Sequence, residues 1–441
     1  MERSVMQDLI RWKNKSRRKP LMLLGVRQCG KTYIAKSFGE EQFEQVAYFN
    51  FEGNDALSSV FEYNLDVRRI VRELEIIASG SKIIPGKTLL ILDEIQSSPK
   101  AITSLKYFCE DMPELHVLAA GSLLGVALKR NELSFPVGKV DRINMYPLSF
   151  REFVLANGDG KLIELAESMD RLREIPAIAS EPLRKHLLNY YILGGMPAVV
   201  ETWIHTHNYE EAEQIQADIL EDYENDFAKY APLSEVARIR QIWHSIPEQL
   251  ARENNKFVFS HVKKGGRARE LEDALEWLID AGLVYKQKLV EKPEIPLSYT
   301  ADDSAFKVFF SDVGLLRKKA NVYYKTILEG DERYIRFKGA LTENYVMTEL
   351  VKNGFPCYFW RSGNQAEVDF LTEDKGRLLP IEVKSADNTR AKSLAAFLAK
   401  YKPDCAFKLS LKNVGDNQAG DTTVYSLPLY LLWKLREYID A

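Results

Sequence analysis

At 441 residues the chain is long enough for roughly two to four domains of about 100–200 residues each, and its 46% hydrophobic and 28% charged composition is too apolar for extended disorder. Its 60 Lys and Arg against 63 Asp and Glu leave a formal charge of -3, which excludes a globally basic nucleic-acid binder but not local basic patches. Cys29, Cys109, Cys357 and Cys405 form no CxxC pair, so neither a zinc site nor a disulfide framework is expected and a reducing compartment fits. The first twenty residues lack the apolar run of a signal peptide, and no stretch approaches the roughly 18 apolar residues of a membrane span. The expectation is a cytoplasmic protein with no membrane partner.

In chain order, the basic stretch 11–19 (RWKNKSRRK) comes first, either a phosphate-facing patch or simply the flank of the first strand. Four apolar runs of strand length follow, 20–25 (PLMLLG), 46–51 (VAYFNF), 88–92 (TLLIL) and 116–120 (HVLAA), separated by helical patterns. That succession predicts a parallel sheet covered on both faces, assigned to residues 1–170. Directly after the first run stands Gly25-Val26-Arg27-Gln28-Cys29-Gly30-Lys31-Thr32, the GxxxxGK[ST] pattern, with Tyr33 opening the helical YIAKSF. Glycines let backbone N–H groups curl onto phosphate oxygens, and the helix that follows points its positive end at the same anion. All nine residues from Gly25 to Tyr33 are assigned to ATP binding. Lys31 is expected to reach the β and γ phosphates and Thr32 to ligate Mg2+ through its hydroxyl.

The run LLIL delivers Asp93 to the far side of that ion, with Glu94 beside it to polarise the attacking water. This second carboxylate points to ATP hydrolysis, and the absence of an NKxD tetrapeptide weakens a GTPase reading. Ser122, after HVLAAG, is placed beside the γ phosphate, although an N-cap to the next helix explains it equally well. Arg27, Lys139 and Arg142 are candidates for transition-state charge. Cys29, inside the loop, is expected to be shielded from alkylation by bound nucleotide.

GVRQCGKT, LLILDEIQ, AAGSLLG and NMYPLSFREF together resemble a bacterial and archaeal family of AAA-type ATPases whose C-terminal half is a domain of unknown function. YILGGMPAVV and FFSDVGLLR resemble that second half, so the likeness spans almost the whole chain. The resemblance implies ATPase chemistry more than a biological task. Relatives often have Gly-Arg before the PLSF segment where this chain has Gly138-Lys139, so no arginine role carries over to that position.

Apolar residues between about 183 and 284 recur at helical spacing, interrupted by the turn signal Gly194-Gly195-Met196-Pro197, so residues 171–330 are read as a helical region. Within it, residues 260–290 combine a helix-turn, an amphipathic helix with Leu271, Leu275, Leu278 and Ile279, and a Gly282 stop before extended residues. This fits a winged helix. Lys263, Lys264, Arg267 and Arg269 stand where a recognition helix meets DNA phosphates, or where a protein-contact module shows a solvated end.

Residues 331–441 read as a helix, three extended runs (CYFWRS, EVDFLTE, LLPIEVKS) and another helix, a restriction-endonuclease-like α/β domain. Glu343 lies in the first helix, Asp369 in the second run, and Glu382 and Lys384 share one face of the third, the pattern of PD-(D/E)xK nucleases. Asp369 and Glu382, completed by Glu343, are the expected ligands of a second divalent metal, with Lys384 orienting water or neutralising developing charge. The six histidines form no HExxH pair, and no GxSxG elbow is present.

Two function classes follow. In one, ATP hydrolysis serves a metal-dependent nuclease acting on DNA or another nucleic acid. In the other, ATP switches contacts to a partner protein, and the nuclease-like domain is a catalytically silent scaffold. Self-association is compatible with either.

Overall fold

The computed structural model describes residues 1–122, 124–126, 136–252, 255–262, 268–331, 334–363, 366–385 and 392–440. Their contacts divide into two units, residues 2–147 with 280–282, and residues 148–279 with 283–441 and Met1.

In the first unit the four apolar runs become strands β1 (Leu21–Leu24), β2 (Gln45–Asn50), β3 (Thr88–Asp93) and β4 (His116–Ala120). A fifth strand, β5 (Asp141–Asn144), completes a sheet in the order β2-β3-β4-β1-β5. Every pairing in it is parallel. All residues of β3 and β4 are buried, as continuous apolar strands covered on both faces must be. The strand β5 has no apolar run to announce it, because DRIN is a polar edge strand held by backbone pairing to β1. Since β4 lies between β1 and β3, the carboxyl ends of these three strands stand side by side, where open α/β sheets place their ligands.

The basic stretch at 11–19 belongs to this unit, and three of its cations make contacts within it. Lys15 pairs with Asp141 at 2.6 Å and Arg18 donates to the Pro113 carbonyl at 2.9 Å while covering the Trp12 ring. Lys13 donates to the Gln42 carbonyl.

Under this N-terminal cover His116 is buried, edge-on to Trp12 at 5.9 Å and to Phe43 at 4.9 Å between ring centroids. Burial, with the Arg18 charge nearby, pushes its imidazole from the usual 6.5 down to about 4. The folded chain therefore holds this proton more weakly than the unfolded chain does. Its contribution to stability is complete above pH 6.5 and is lost as the pH falls from there through about 4. His116→Gln is expected to flatten that part of a denaturation-versus-pH curve. An unchanged slope between pH 6.5 and 4 would reject the assignment.

The second unit begins with helices, among them Ala177–Leu193, Pro197–Thr206, Tyr209–Tyr230 and Leu233–Leu250, as the spacing predicts. The Gly-Gly-Met-Pro signal marks the break between the first two. Strands β6 (Val284–Val290), β7 (Ala301–Phe310), β8 (Tyr358–Ser362), β9 (Ala366–Asp374), β10 (Arg377–Val383), β11 (Cys405–Ser410), β12 (Gly415–Ala419) and β13 (Thr422–Pro428) form one sheet, ordered β12-β13-β11-β10-β9-β8-β6-β7. The segments read as separate middle and C-terminal regions thus share a sheet, since β6 pairs in parallel with β8. That pairing also takes the extended residues after Gly282, read as part of a winged helix, into the sheet. Lys263, Lys264 and Arg267 lie outside the described residues, as does the side chain of Arg269. No helix among the described residues is long and apolar enough to cross a membrane.

Candidate nucleotide site and acidic cluster

The loop after β1 turns on residues with positive φ, Gln28 at 64° and Gly30 at 96°, the latter capping helix Lys31–Gln42. Gly25 is obligatory for a different reason: a Cβ there would stand 2.2 Å from the Met145 carbonyl oxygen. The Lys31 side chain is buried against the loop, its ammonium donating to the carbonyls of Gly25 and Val26 at 2.9 Å each. Thr32, one residue on, donates from Oγ1 to Asp93 Oδ2 at 2.7 Å. This contact joins the start of the helix after the loop to the end of β3. A hydroxyl and a carboxylate so paired are hard oxygen donors of the kind that suits Mg2+.

Asp93 is buried and held on both oxygens. Oδ1 accepts the Glu94 N–H at 3.0 Å, and Oδ2 also accepts the Tyr48 hydroxyl at 2.9 Å. Burial, reinforced by Asp93, raises the Tyr48 phenol well above its usual value, so it remains a donor at every ordinary pH. Glu94 takes a left-handed backbone, φ 50° and ψ 39°, an uncommon conformation for a residue with a side chain. Its carboxylate accepts from the Gln96 side-chain amide and, at 3.4 Å, from the Ser122 hydroxyl at the end of β4. The expected loop, Lys31, Thr32, Asp93, Glu94 and Ser122 are thus brought together; Tyr33 follows Thr32 with its side chain exposed.

Three contributors carry no motif and escape sequence reading. Tyr48 and Gln96 are two, and Arg3 is the third, its buried guanidinium donating to the Cys29 carbonyl at 3.1 Å and to the Tyr146 carbonyl. Among the charge candidates, Lys139 pairs with Glu110 at 2.9 Å and Arg142 is exposed, while Arg27 lies on the loop itself. The Cys29 expectation needs correction. Its sulfur is fully buried and faces the Met145 carbonyl at 3.7 Å, beneath the loop, so a reagent has no open path to it.

In the second unit, Asp369 lies on β9, Glu382 on the adjacent β10 and Glu343 on helix Ile335–Lys352. Asp369 Oδ2 accepts the Val383 N–H at 2.7 Å, and Glu382 Oε1 accepts the Lys384 ammonium at 2.6 Å. Burial and the charges of Glu343 and Glu382 hold the Asp369 carboxyl well above its usual range, and burial likewise raises Glu382. Lys307 on β7, unremarked in the sequence, brings its buried ammonium 2.8 Å from Glu367 and 3.6 Å from Glu343.

The residues proposed for a second metal, Glu343, Asp369 and Glu382, are electrostatic neighbours but do not fit that role as they stand. Among the described residues no three carboxylates, histidines or cysteines are grouped to hold an ion. Each of the three has an oxygen engaged by an N–H or ammonium donor, Asn255 Nδ2 taking Glu343 Oε2 at 2.7 Å.

Residues 17–154 match a family model described as an AAA domain, and residues 184–325 and 338–432 match two models of domains of unknown function, DUF8612 and DUF4143. A comparison with curated proteins finds no match. Among solved structures, the chain is similar to a Walker-type ATPase of Pyrococcus abyssi at 13% identity, over 72% of this chain and 95% of that one, with a TM-score of 0.45. It is similar to the Aeropyrum pernix ORC2 protein at 16% identity, over 75% and 94%, TM-score 0.39. For DnaA of Aquifex aeolicus the figures are 12% identity, 62% and 85%, TM-score 0.29. The AAA-domain match and the parallel sheet agree that the first unit is a P-loop domain of AAA type.

Proposed function

We propose that the chain binds ATP with Mg2+ and hydrolyses it at the carboxyl ends of β1, β3 and β4, and that the second unit converts nucleotide occupancy into contact with a partner. The observation that supports this most is the Thr32 to Asp93 hydrogen bond, with Glu94 next in sequence and held by Ser122. Loop N–H groups and Lys31 bind the β and γ phosphates. Thr32 and Asp93 would hold the Mg2+, which would supply charge to neutralise phosphate oxygens. Glu94 accepts a proton from the water whose oxygen attacks the γ phosphorus, as the bond from that phosphorus to the β,γ-bridging oxygen breaks.

The finer reading of the second unit as restriction-endonuclease-like is supported by its order: a helix, the antiparallel strands β8, β9 and β10, a helix, then β11 parallel to β10. The Lys307 ammonium between Glu343 and Glu367 favours the second function class. There ATP acts as a switch, and the nuclease-like domain is a binding or assembly module for a partner protein or a nucleic acid, with self-association part of the same proposal.

Lys31→Ala tests the nucleotide site. Titration with a fluorescent ATP analogue should show at least about tenfold weaker binding, since a phosphate-facing ammonium and its charge-assisted hydrogen bonds are removed. A melting curve run alongside checks that the variant is folded. Parent-like affinity in a folded variant would reject the loop assignment.

A further inference from the structure

The acidic cluster of the second unit contains four carboxylates, Glu343, Glu367, Asp369 and Glu382, each of which bears electrostatically on at least one other member. Such a set ordinarily attracts a divalent cation, because neighbouring carboxylates cannot all ionise without a compensating charge. Here that charge comes from within the chain. Lys307 is 1% exposed, and its ammonium lies 2.8 Å from Glu367, 3.6 Å from Glu343 and 5.0 Å from the centroid of the Phe359 ring. We propose that Lys307 is a resident counter-cation which takes the place of a divalent metal, making the C-terminal cluster a metal-free ion network.

Three further observations agree. A buried ammonium needs anionic partners to offset its desolvation, and Lys307 has two, Glu367 and Glu343, within 4 Å. Lys384 supplies a second internal cation to Glu382. Among the described residues Glu382 Oε2 alone of the cluster's oxygens is buried without a hydrogen-bond partner, and one oxygen is not a chelate for an ion that prefers six or more ligands.

The test counts Mn2+ ions bound to the full chain by electron paramagnetic resonance, without nucleotide, for the parent, Glu382→Gln, Lys307→Met and the double variant. Any Mn2+ held weakly at the phosphate loop is common to all four and cancels. The parent and Glu382→Gln are expected to bind the same number of ions. Lys307→Met, which keeps the bulk and removes the charge, is expected to gain one site, and the double variant to lose it again. A parent site that disappears in Glu382→Gln overturns the proposal, as does a folded Lys307→Met that gains none. Should Lys307→Met fail to fold, the comparison of parent with Glu382→Gln decides alone. The count does not depend on ATP hydrolysis, so failure here and failure of the ATPase reading are separate results.

Discussion

Glu94→Gln is expected to bind ATP as the parent chain does and to hydrolyse it about 10²–10⁴ times more slowly, the range a positioned general base contributes. The substitution is nearly isosteric. Asp93 keeps its contacts with Thr32 and Tyr48, so the metal-side donors are undisturbed. An amide oxygen can still accept from Ser122 or Gln96, but an amide cannot take a proton from water. The effect should therefore fall on kcat, with nucleotide affinity retained. Single-turnover hydrolysis with a parallel binding titration separates the two quantities. A variant that hydrolyses at the parent rate removes Glu94 from the mechanism, and one that cannot bind ATP shows that the carboxylate is structural.

The extent to which this site could be read from the sequence follows from how each residue reaches it. Lys31 and Thr32 arrive by local geometry, because glycines and a helix start at fixed spacing leave the loop few conformations. Asp93 and Glu94 arrive at the end of a strand whose continuous apolar run identifies it. Tyr48, Gln96 and Arg3 reach the same place through hydrogen bonds set by the packing of β2, the turn after β3 and the N-terminus. No spacing rule signals those contacts. Edge strand β5 was hidden for a related reason: its pairing needs backbone alone, so its side chains are free to be polar.

The acidic cluster shows the opposite error. Alternation along β10 correctly groups Glu382 with Lys384, but the ammonium that decides the cluster's charge comes from β7, more than sixty residues earlier. In sequence Lys307 is one lysine among many. Only the union of β6 and β7 with β8, β9 and β10 in a single sheet reveals it as a partner of Glu343 and Glu367.

Gly314→Ala is expected to destabilise the second unit by at least about 3 kcal/mol, a severe overpacking cost, and to lower its melting temperature by roughly 10 °C. Gly314 sits in the first turn of helix Val313–Lys319, capped by Asp312, whose Oδ1 accepts the Leu315 N–H at 2.9 Å and whose Oδ2 accepts the Gly195 N–H at 2.7 Å. That clamp draws the helix start onto the end of helix Ala177–Leu193. A Cβ at position 314 would stand 2.4 Å from both the carbonyl carbon and oxygen of Leu193 and 2.5 Å from the Gly194 nitrogen. All three are backbone atoms, so no rotamer change can make room, and relief requires separating the helices or breaking the buried Asp312 bonds. Gly339→Ala is the matching control, because no heavy atom beyond its own helix backbone and chain neighbours lies within 4 Å of a Cβ there and its φ is not positive. In helix Ile335–Lys352 that change should be neutral or stabilise by up to about 1 kcal/mol. Thermal denaturation of the two variants side by side measures the difference. Equal melting temperatures would show that the clamp tolerates the added methyl group and that the close approach of the two helices is not fixed.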